Sequence, residues 1–295
     1  MCGQQCSRRE EGLRGPEKGG QVIICFGGGK GLSATVRALR LNDKDFAAVV
    51  GTTDNGGSTG SLREEFGIPA VGDFRRVVDA LSTGTLPAVM ESRYDGHALG
   101  NLAILDLVKR LGFGKGLEKY RKALGVRQRV VPQFLEPCDL VATVSGQKVF
   151  GEFQVDDSKG EVERIWLEPK RELNPEVLEL VDEADVFILG PGSLYTSIIP
   201  HLVPDGLPRA LSKIPNRIFV MGITNDLPIV HGFKVSRYVG EVEKHLKVDH
   251  VIVQSPERGL PIDVHGGRFI LGDVAHDNHI HSPEKLGDVL CKLLR

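Results

Sequence analysis

Residues 21–54, QVIICFGGGKGLSATVRALRLNDKDFAAVVGTTD, decide the fold class. QVIICF is a short apolar, β-branched run that stops at glycines, which is the pattern of a buried strand. LSATVRALR then places Leu32, Val36 and Leu39 at helical spacing, and FAAVVGTTD returns to an unbroken apolar run. Strand, turn, helix and strand in this length make a βαβ unit, whose parallel strands require a right-handed crossover. The expectation is an α/β protein on a Rossmann-like, three-layer parallel sheet.

Downstream, DFRRVVDALS and LGNLAILDLVKRL carry further helical patterns. From about residue 130 to 169 the texture changes. VATVSGQKVFGEFQV alternates between glycine-bearing turns, which predicts a small antiparallel β insertion. The α/β rhythm then resumes with a helix around NPEVLELVDEA, strands at DVFILG, RIFVMGI, HVIVQS and RFILGD, and a helix at VSRYVGEVEKHL. The last helix is marked by Ser282 as N-cap and Pro283 at its first position, with Leu286, Val289, Leu290 and Leu293 on one face. No repeat of solenoid period occurs, so residues 21–295 read as one domain. Upstream, residues 1–20 are polar and glycine-rich, without the apolar core of a secretory signal, and read as a flexible tail.

Composition bounds the function. The chain has 295 residues, 37 Lys and Arg against 39 Asp and Glu, and 41% hydrophobic residues, enough to bury a sizeable core. No run of 18 apolar residues is present, so no membrane-spanning helix is expected. The near-neutral balance gives no electrostatic reason to expect nucleic acid or an anionic membrane as partner. Five cysteines without framework spacing point to reduced thiols and a cytoplasmic location, and Cys2 with Cys6 alone makes a poor zinc site.

Two loops could carry chemistry. In FGGGKGLS, Gly27, Gly28, Gly29, Lys30 and Gly31 stand between a strand and a helix, where free N–H groups and the helix dipole favour a phosphate. The spacing is neither a dinucleotide GxGxxG nor a Walker loop. GPGSLYTS is the second phosphate-loop candidate. Its Gly190 and Gly192 permit close approach, and Ser193, Tyr195 and Thr196 supply hydroxyls. Asp54, at the end of the second strand, is placed to accept a ribose hydroxyl bond or hold a metal, with Asn55, Gly56, Gly57 and Ser58 adding donors. Asp73 reads as a helix N-cap, and Arg75 either clamps a phosphate or pairs with Asp79 one turn on. His97 and Asn101 admit ligand-contact and structural readings alike.

These motifs together resemble a known family. FGGGKGLS, TTDNGGSTGSLREEFGIPAVGDFRR, GHALGNL, GPGSLYTSIIPHLV and the closing HSPEKL helix are similar, in order and spacing, to the YvcK/CofD-like proteins. That group comprises gluconeogenesis factors and 2-phospho-L-lactate transferases. The detail is closer to the gluconeogenesis-factor branch. The resemblance implies a Rossmann-like fold, a cytoplasmic location and a nucleotide-bearing ligand between the halves, of UDP-sugar type in that branch, with a link to carbon metabolism and cell shape. It also implies site roles for Gly28, Gly29, Gly31, Asp54, Asn55, Gly56, Asp73, Arg75, His97, Asn101, Gly192, Ser193 and Tyr195. Departures accompany it: Lys30 stands in the glycine loop, and Asn55 replaces a second carboxylate. Thr224, Asn225 and Phe233 occupy a segment that differs from the family pattern, and Ile280 with His281 replaces an Arg-His pair.

Three functions compete. The first is a regulatory, nucleotide-sugar-binding protein that needs no cofactor. The second is a CofD-like transferase in which Asp54 holds magnesium and loops stabilise diphosphate charge. The third, an NAD-dependent dehydrogenase, rests on fold analogy alone. A nucleotide-bearing small molecule is the expected partner; homo-oligomerisation and protein partners stay open.

Overall fold

The computed structural model describes residues 20–277 and 279–294. The flexible-tail expectation, with Cys2 and Cys6, lies outside the described residues. β1 (Ile23–Gly27), α1 (Gly29–Leu41) and β2 (Phe46–Val50) form the βαβ unit read from the opening stretch. α2 (Gly57–Phe66), α3 (Gly72–Leu81) and α4 (Leu86–Glu91) lead into a small hairpin of β3 (Arg93–Tyr94) and β4 (His97–Ala98). The helices α5 (Leu99–Leu111) and α6 (Phe113–Ala123) follow, then β5 (Arg129–Pro132). Next come β6 (Asp139–Val144), β7 (Gln147–Phe150), α7 (Glu152–Asp157) and β8 (Val162–Glu168). The second half runs α8 (Pro175–Glu183), β9 (Val186–Leu189), α9 (Leu207–Leu211), β10 (Asn216–Val220), α10 (Val235–Glu243), β11 (His250–Gln254), β12 (Phe269–Gly272) and α11 (Pro283–Leu293).

The main sheet has seven parallel strands in the order β12-β11-β10-β9-β1-β2-β5. The chain builds outward from β1 through β2 to β5, then returns to the other side of β1 and builds outward again from β9. This is the doubly wound nucleotide-binding order, with one strand added at the far edge. Its direction reverses between β1 and β9, which pair in register from Ile23 opposite Val186 to Phe26 opposite Leu189. At such a reversal the following crossovers diverge to opposite faces and leave a crevice beyond the strand ends.

Both faces of the sheet's centre are covered, so β1, β2 and β9 are apolar throughout. Ile24, Phe26, Phe187 and Phe219 pack on one face with α10 and the inserted sheet. Ile23, Cys25, Ile188 and Val220 pack on the other with α1, α3 and α11. Each such buried side chain stabilises the fold by about 1.5–3 kcal/mol. α11 is capped as expected: Ser282 Oγ accepts from the Lys285 N–H at 3.3 Å. Among the described residues no helix is long and apolar enough to cross a membrane.

The insertion expected at residues 130–169 begins later. β5 belongs to the main sheet, pairing Ala47 to Val50 with Arg129 to Pro132, because the Val130–Val131 run is apolar on both sides. The antiparallel sheet is β7-β6-β8, spanning residues 139–168. GEFQV, read as strand continuation, instead turns at Gly151 and becomes α7. Gly151 has φ 87°, and a side chain there would overlap Asn55 and Gln154. Asn55 Oδ1 accepts from the N–H groups of Glu152 at 3.1 Å and Phe153 at 3.4 Å, so the first half of the chain caps the inserted helix.

Candidate functional site

The crevice at the strand-order reversal is built where α1 meets the loop after β9. Thr35 Oγ1 donates to the Gly190 carbonyl at 2.9 Å, and Gly31 lies so close to the Pro191 carbonyl that no side chain fits between them. Tyr238 of α10 donates to the Gly192 carbonyl at 3.3 Å from the far side. The space left is about 270 Å³, walled by Lys30, Gly192, Ser193, Leu227, Tyr238 and His281, among others. A neighbouring cavity of about 370 Å³ shares Thr224, Asp226 and His279 with it.

The first glycine loop does less at this crevice than its composition suggests. Gly27, Gly28 and Gly29 are buried, and the carboxylate of Asp73 lies directly on Gly28 and Gly29, where a side chain would collide with it. The Gly29 N–H donates to this carboxylate, and Arg76 pairs with it at 2.9 Å. Burial, followed by the charge of Asp54, still pushes the Asp73 carboxyl up to about 6. Asp73 therefore acts on the start of α1, the helix beside it in the same layer, rather than as the cap of its own helix: the α3 N-cap is Val71, with no side-chain cap bond.

Two further carboxyls come from α7, and the sequence reading did not include them. Thr53 Oγ1 donates to Glu152 at 2.6 Å. Burial first, then Asp54, raises the Glu152 carboxyl well above the usual range, with Asp73 and Asp156 adding to the effect. Thr196 donates to Asp156 at 3.0 Å, the Ser193 hydroxyl bonds it too, and burial pushes it up to about 6. Each predicted phosphate loop thus holds an internal carboxylate. The alternation of GEFQV masked Glu152, and Asp156 follows directly after it in a helix of six residues, too short to show a clear period.

Asp54, expected as a metal ligand, uses Oδ1 to accept the Gly56 N–H at 2.9 Å, a local turn. Among the described residues, no group of three or more His, Cys, Asp or Glu side chains converges as metal ligands. As arranged, the carboxyls of Asp54, Asp73 and Glu152 do not converge on one cation position.

Ser58, Arg75, His97 and Asn101 come together, but in a separate chain between α2, α3 and α5. Arg75 Nε donates to Asn101 Oδ1 at 3.0 Å, which turns the Asn101 amide nitrogen toward Ser58 Oγ at 3.1 Å. Ser58 Oγ lies 3.1 Å from His97 Nδ1. Arg75 is buried and pairs with Asp79 at 2.6 Å, which also accepts from Tyr120 at 3.0 Å. Of the two readings of Arg75, the pairing with Asp79 is the contact seen. Tyr195 packs in the core edge-on to Phe233, with ring centroids 6.4 Å apart. Asn225 donates to the Phe233 carbonyl at 2.8 Å and so pins its loop. Of the predicted residues, Lys30, Gly31, Gly192, Ser193 and Thr224 line the crevice. Asp226, Tyr238 and His281 join them without having been expected there.

Residues 23–263 match the protein family described as 2-phospho-L-lactate transferase CofD. The chain belongs to the CofD family. Among this family's members, a gluconeogenesis factor of Halalkalibacterium halodurans is 33% identical over 239 residues, covering 77% of this chain and 74% of that protein. A gluconeogenesis factor of Bacillus subtilis is 31% identical over 250 residues, 80% and 79% of the two chains. The crystal structure of a UPF0052 family member from Bacillus halodurans superposes with a TM-score of 0.87 at 28% identity, covering 92% of this CofD-family chain and 99% of the other. The seven-stranded sheet with its antiparallel insertion is thus the architecture of the family.

Proposed function

We propose that this chain is a regulatory protein of the gluconeogenesis-factor type that binds a nucleotide sugar, of UDP-sugar class, in the crevice at the strand-order reversal, and so tunes carbon metabolism and cell shape in the cytoplasm. The supporting observation is the wall of that crevice. It combines Leu227, Val230 and Tyr238 with Lys30, an exposed lysine that has no carboxylate partner among the described residues. Lys30 stands in the first turn of α1, next to the Gly28–Gly29 backbone on which the Asp73 carboxylate lies. A cation at a crevice mouth suits an anionic ligand. Ligand occupancy would change how the second-half loops sit, and thereby the surface offered to partners.

A second reading, a CofD-like transferase, is favoured by the gathering of acids at this end of the sheet, where the charge of Asp54 raises the carboxyls of both Asp73 and Glu152. A thermal-shift series with UDP-sugars, UDP, GDP and GTP, with and without magnesium, separates the two. A magnesium-independent rise in Tm with UDP-sugars is the expected result. A rise confined to guanine nucleotides with magnesium would replace the regulatory reading by the transferase.

A further inference from the structure

The longest strand among the described residues, β8, lies at the edge of the inserted sheet. β6 pairs with it on one side, from Asp139 opposite Glu168 to Thr143 opposite Arg164, and no described strand pairs with it on the other. Short length, lysine or proline usually blunts such an edge, because its free N–H and C=O groups invite another strand. β8 has seven residues, none of them lysine or proline, and the irregularity in its pairing falls before Arg164.

Backbone direction fixes which groups are free. The Gly151 N–H donates to the Leu140 carbonyl at 2.7 Å, so Leu140 turns its backbone to the β7 side and Val141, next along β6, turns its own toward β8. Trp166, opposite Val141, therefore bonds to β6, and the backbone groups of its neighbours Ile165 and Leu167 point out of the sheet edge. Among the described residues no backbone group from outside the inserted sheet bonds to either of them.

The side chains along this stretch are their own complement. Residues 164–168 read Arg, Ile, Trp, Leu, Glu: cation, aliphatic, aromatic, aliphatic, anion. Antiparallel pairing with an identical strand about a two-fold axis at Trp166 sets Arg164 opposite Glu168, Ile165 opposite Leu167, and Trp166 opposite itself. Each of the first two contacts then occurs twice. The charges meet on the outward face, and Ile165 and Leu167 on the face that packs on the core. The Arg164 guanidinium already stands over the Trp166 ring, 5.3 Å from its centroid. Glu168 accepts from Lys148 at 2.8 Å and from Trp166 Nε1 at 3.2 Å, and a carboxylate has capacity for more.

We propose that two copies of this chain associate through their β8 strands, antiparallel about Trp166, into one six-stranded sheet, and that Arg164 and Glu168 set the register. A strand edge is a small interface, so the association is reversible and concentration-dependent. It does not depend on the nucleotide-sugar reading.

Sedimentation velocity of the full chain from about 1 to about 100 μM tests this, and the parent is expected to pass from monomer to dimer in that range. Trp166 is the only tryptophan, so its emission should shift to the blue over the same concentrations as the second copy covers it. Arg164→Glu and Glu168→Arg should each weaken the dimer at least about tenfold, because each sets like charges opposite one another twice. Mixed in equal amounts, the two single variants should recover it, since the mixed pair restores both opposite-charge contacts. Both residues are exposed, so the melting curves of the variants at monomer concentrations should match that of the parent. A parent that stays monomeric at about 100 μM overturns the proposal. So does a dimer that neither variant weakens, or one that leaves the Trp166 emission unchanged, because it uses another surface. Failure of the mixture to recover the dimer overturns the antiparallel register.

Discussion

FGGGKG at residues 26–31 and GPGS at residues 190–193 close neighbouring parallel strands on either side of the same crevice, and each is rich in glycine. In the first, Gly28 and Gly29 leave room for the Asp73 carboxylate and Gly31 for the Pro191 carbonyl, while Lys30 and Gly31 are what reach the crevice. In the second, Gly190 takes φ 83°, a left-handed backbone that glycine allows, and Pro191, Gly192 and Ser193 all line the space. Glycine density therefore reports that something approaches the backbone closely. Protein atoms approach both: the Asp73 carboxylate and the Pro191 carbonyl in the first, the Val220 carbonyl at Gly190 and the Ser197 side chain at Gly192 in the second. What differs is that the second loop lends more of its residues to the crevice wall.

The sharpest way to break this contrast is Arg75→Ala. If Arg75 belongs to the structural chain with Asp79 and Asn101 rather than to a phosphate site, its loss leaves a nearly buried Asp79 carboxylate without its cation. The expected cost is about 3–5 kcal/mol in urea unfolding, with nucleotide affinity of the folded protein unchanged. A large loss of affinity at unchanged stability would bring the Ser58–Arg75–Asn101 chain into the ligand site.

Gly31→Ala probes the closure between the two loops. The added methyl group would overlap the Pro191 carbonyl, a backbone atom that cannot swing aside. A cost of about 1–3 kcal/mol or more is expected for such overpacking. Gly240→Ala is the control: no atom lies within 4 Å of its would-be Cβ in α10. That substitution should stabilise by roughly 0.5–1 kcal/mol. Equal effects at the two positions would mean that the loops are not in contact.

Asp73→Asn tests the internal carboxylate through pH. The Asp73 pKa is raised from 3.8 to about 6, so the native state holds its proton more tightly than the unfolded state does. Its favourable contribution is complete below the unfolded pKa and is lost as pH rises through about 6. His201 and His281, lowered by burial to about 4, act in the opposite direction as pH falls, so the informative quantity is the difference between variant and parent. Relative to the parent, the Asp73→Asn protein should gain roughly 1–3 kcal/mol between pH 4 and pH 7. A pH-independent difference would place Asp73 outside the buried environment beside Gly28.

Much of the architecture was legible because the sheet is buried on both faces, which makes strands continuous apolar runs, and because α11 announces itself through Ser282 and Pro283. β5 was misplaced because four residues, RVVP, cannot show whether they join a parallel or an antiparallel neighbour. The site was less legible. Lys30, Gly192 and Ser193 line the crevice, and their positions just beyond strand ends are visible in the sequence. Tyr195 and Phe233 went to the core because an aromatic ring in a loop carries no signal of which side it faces. Glu152 and Asp156 were missed because their place depends on where a short inserted helix docks, a tertiary fact.

That docking gives the smallest and most local prediction. Asn55 holds α7 by accepting from the Glu152 and Phe153 N–H groups, and its amide reaches Gln154 Oε1 at 3.3 Å. Asn55→Ala should cost about 1 kcal/mol, the usual value of a lost helix cap, at every pH. Asn55→Asp keeps an acceptor for both N–H groups, so it should match the parent near pH 4, where Glu152 is protonated. Its added charge then stands beside Asp54 and Glu152, and the variant should become progressively less stable than the parent as pH rises. If the two variants behave alike across that range, Asn55 is not the cap. If the Asn55→Asp protein is stabilised by magnesium where the parent is not, residues 54 and 55 face a common cation position.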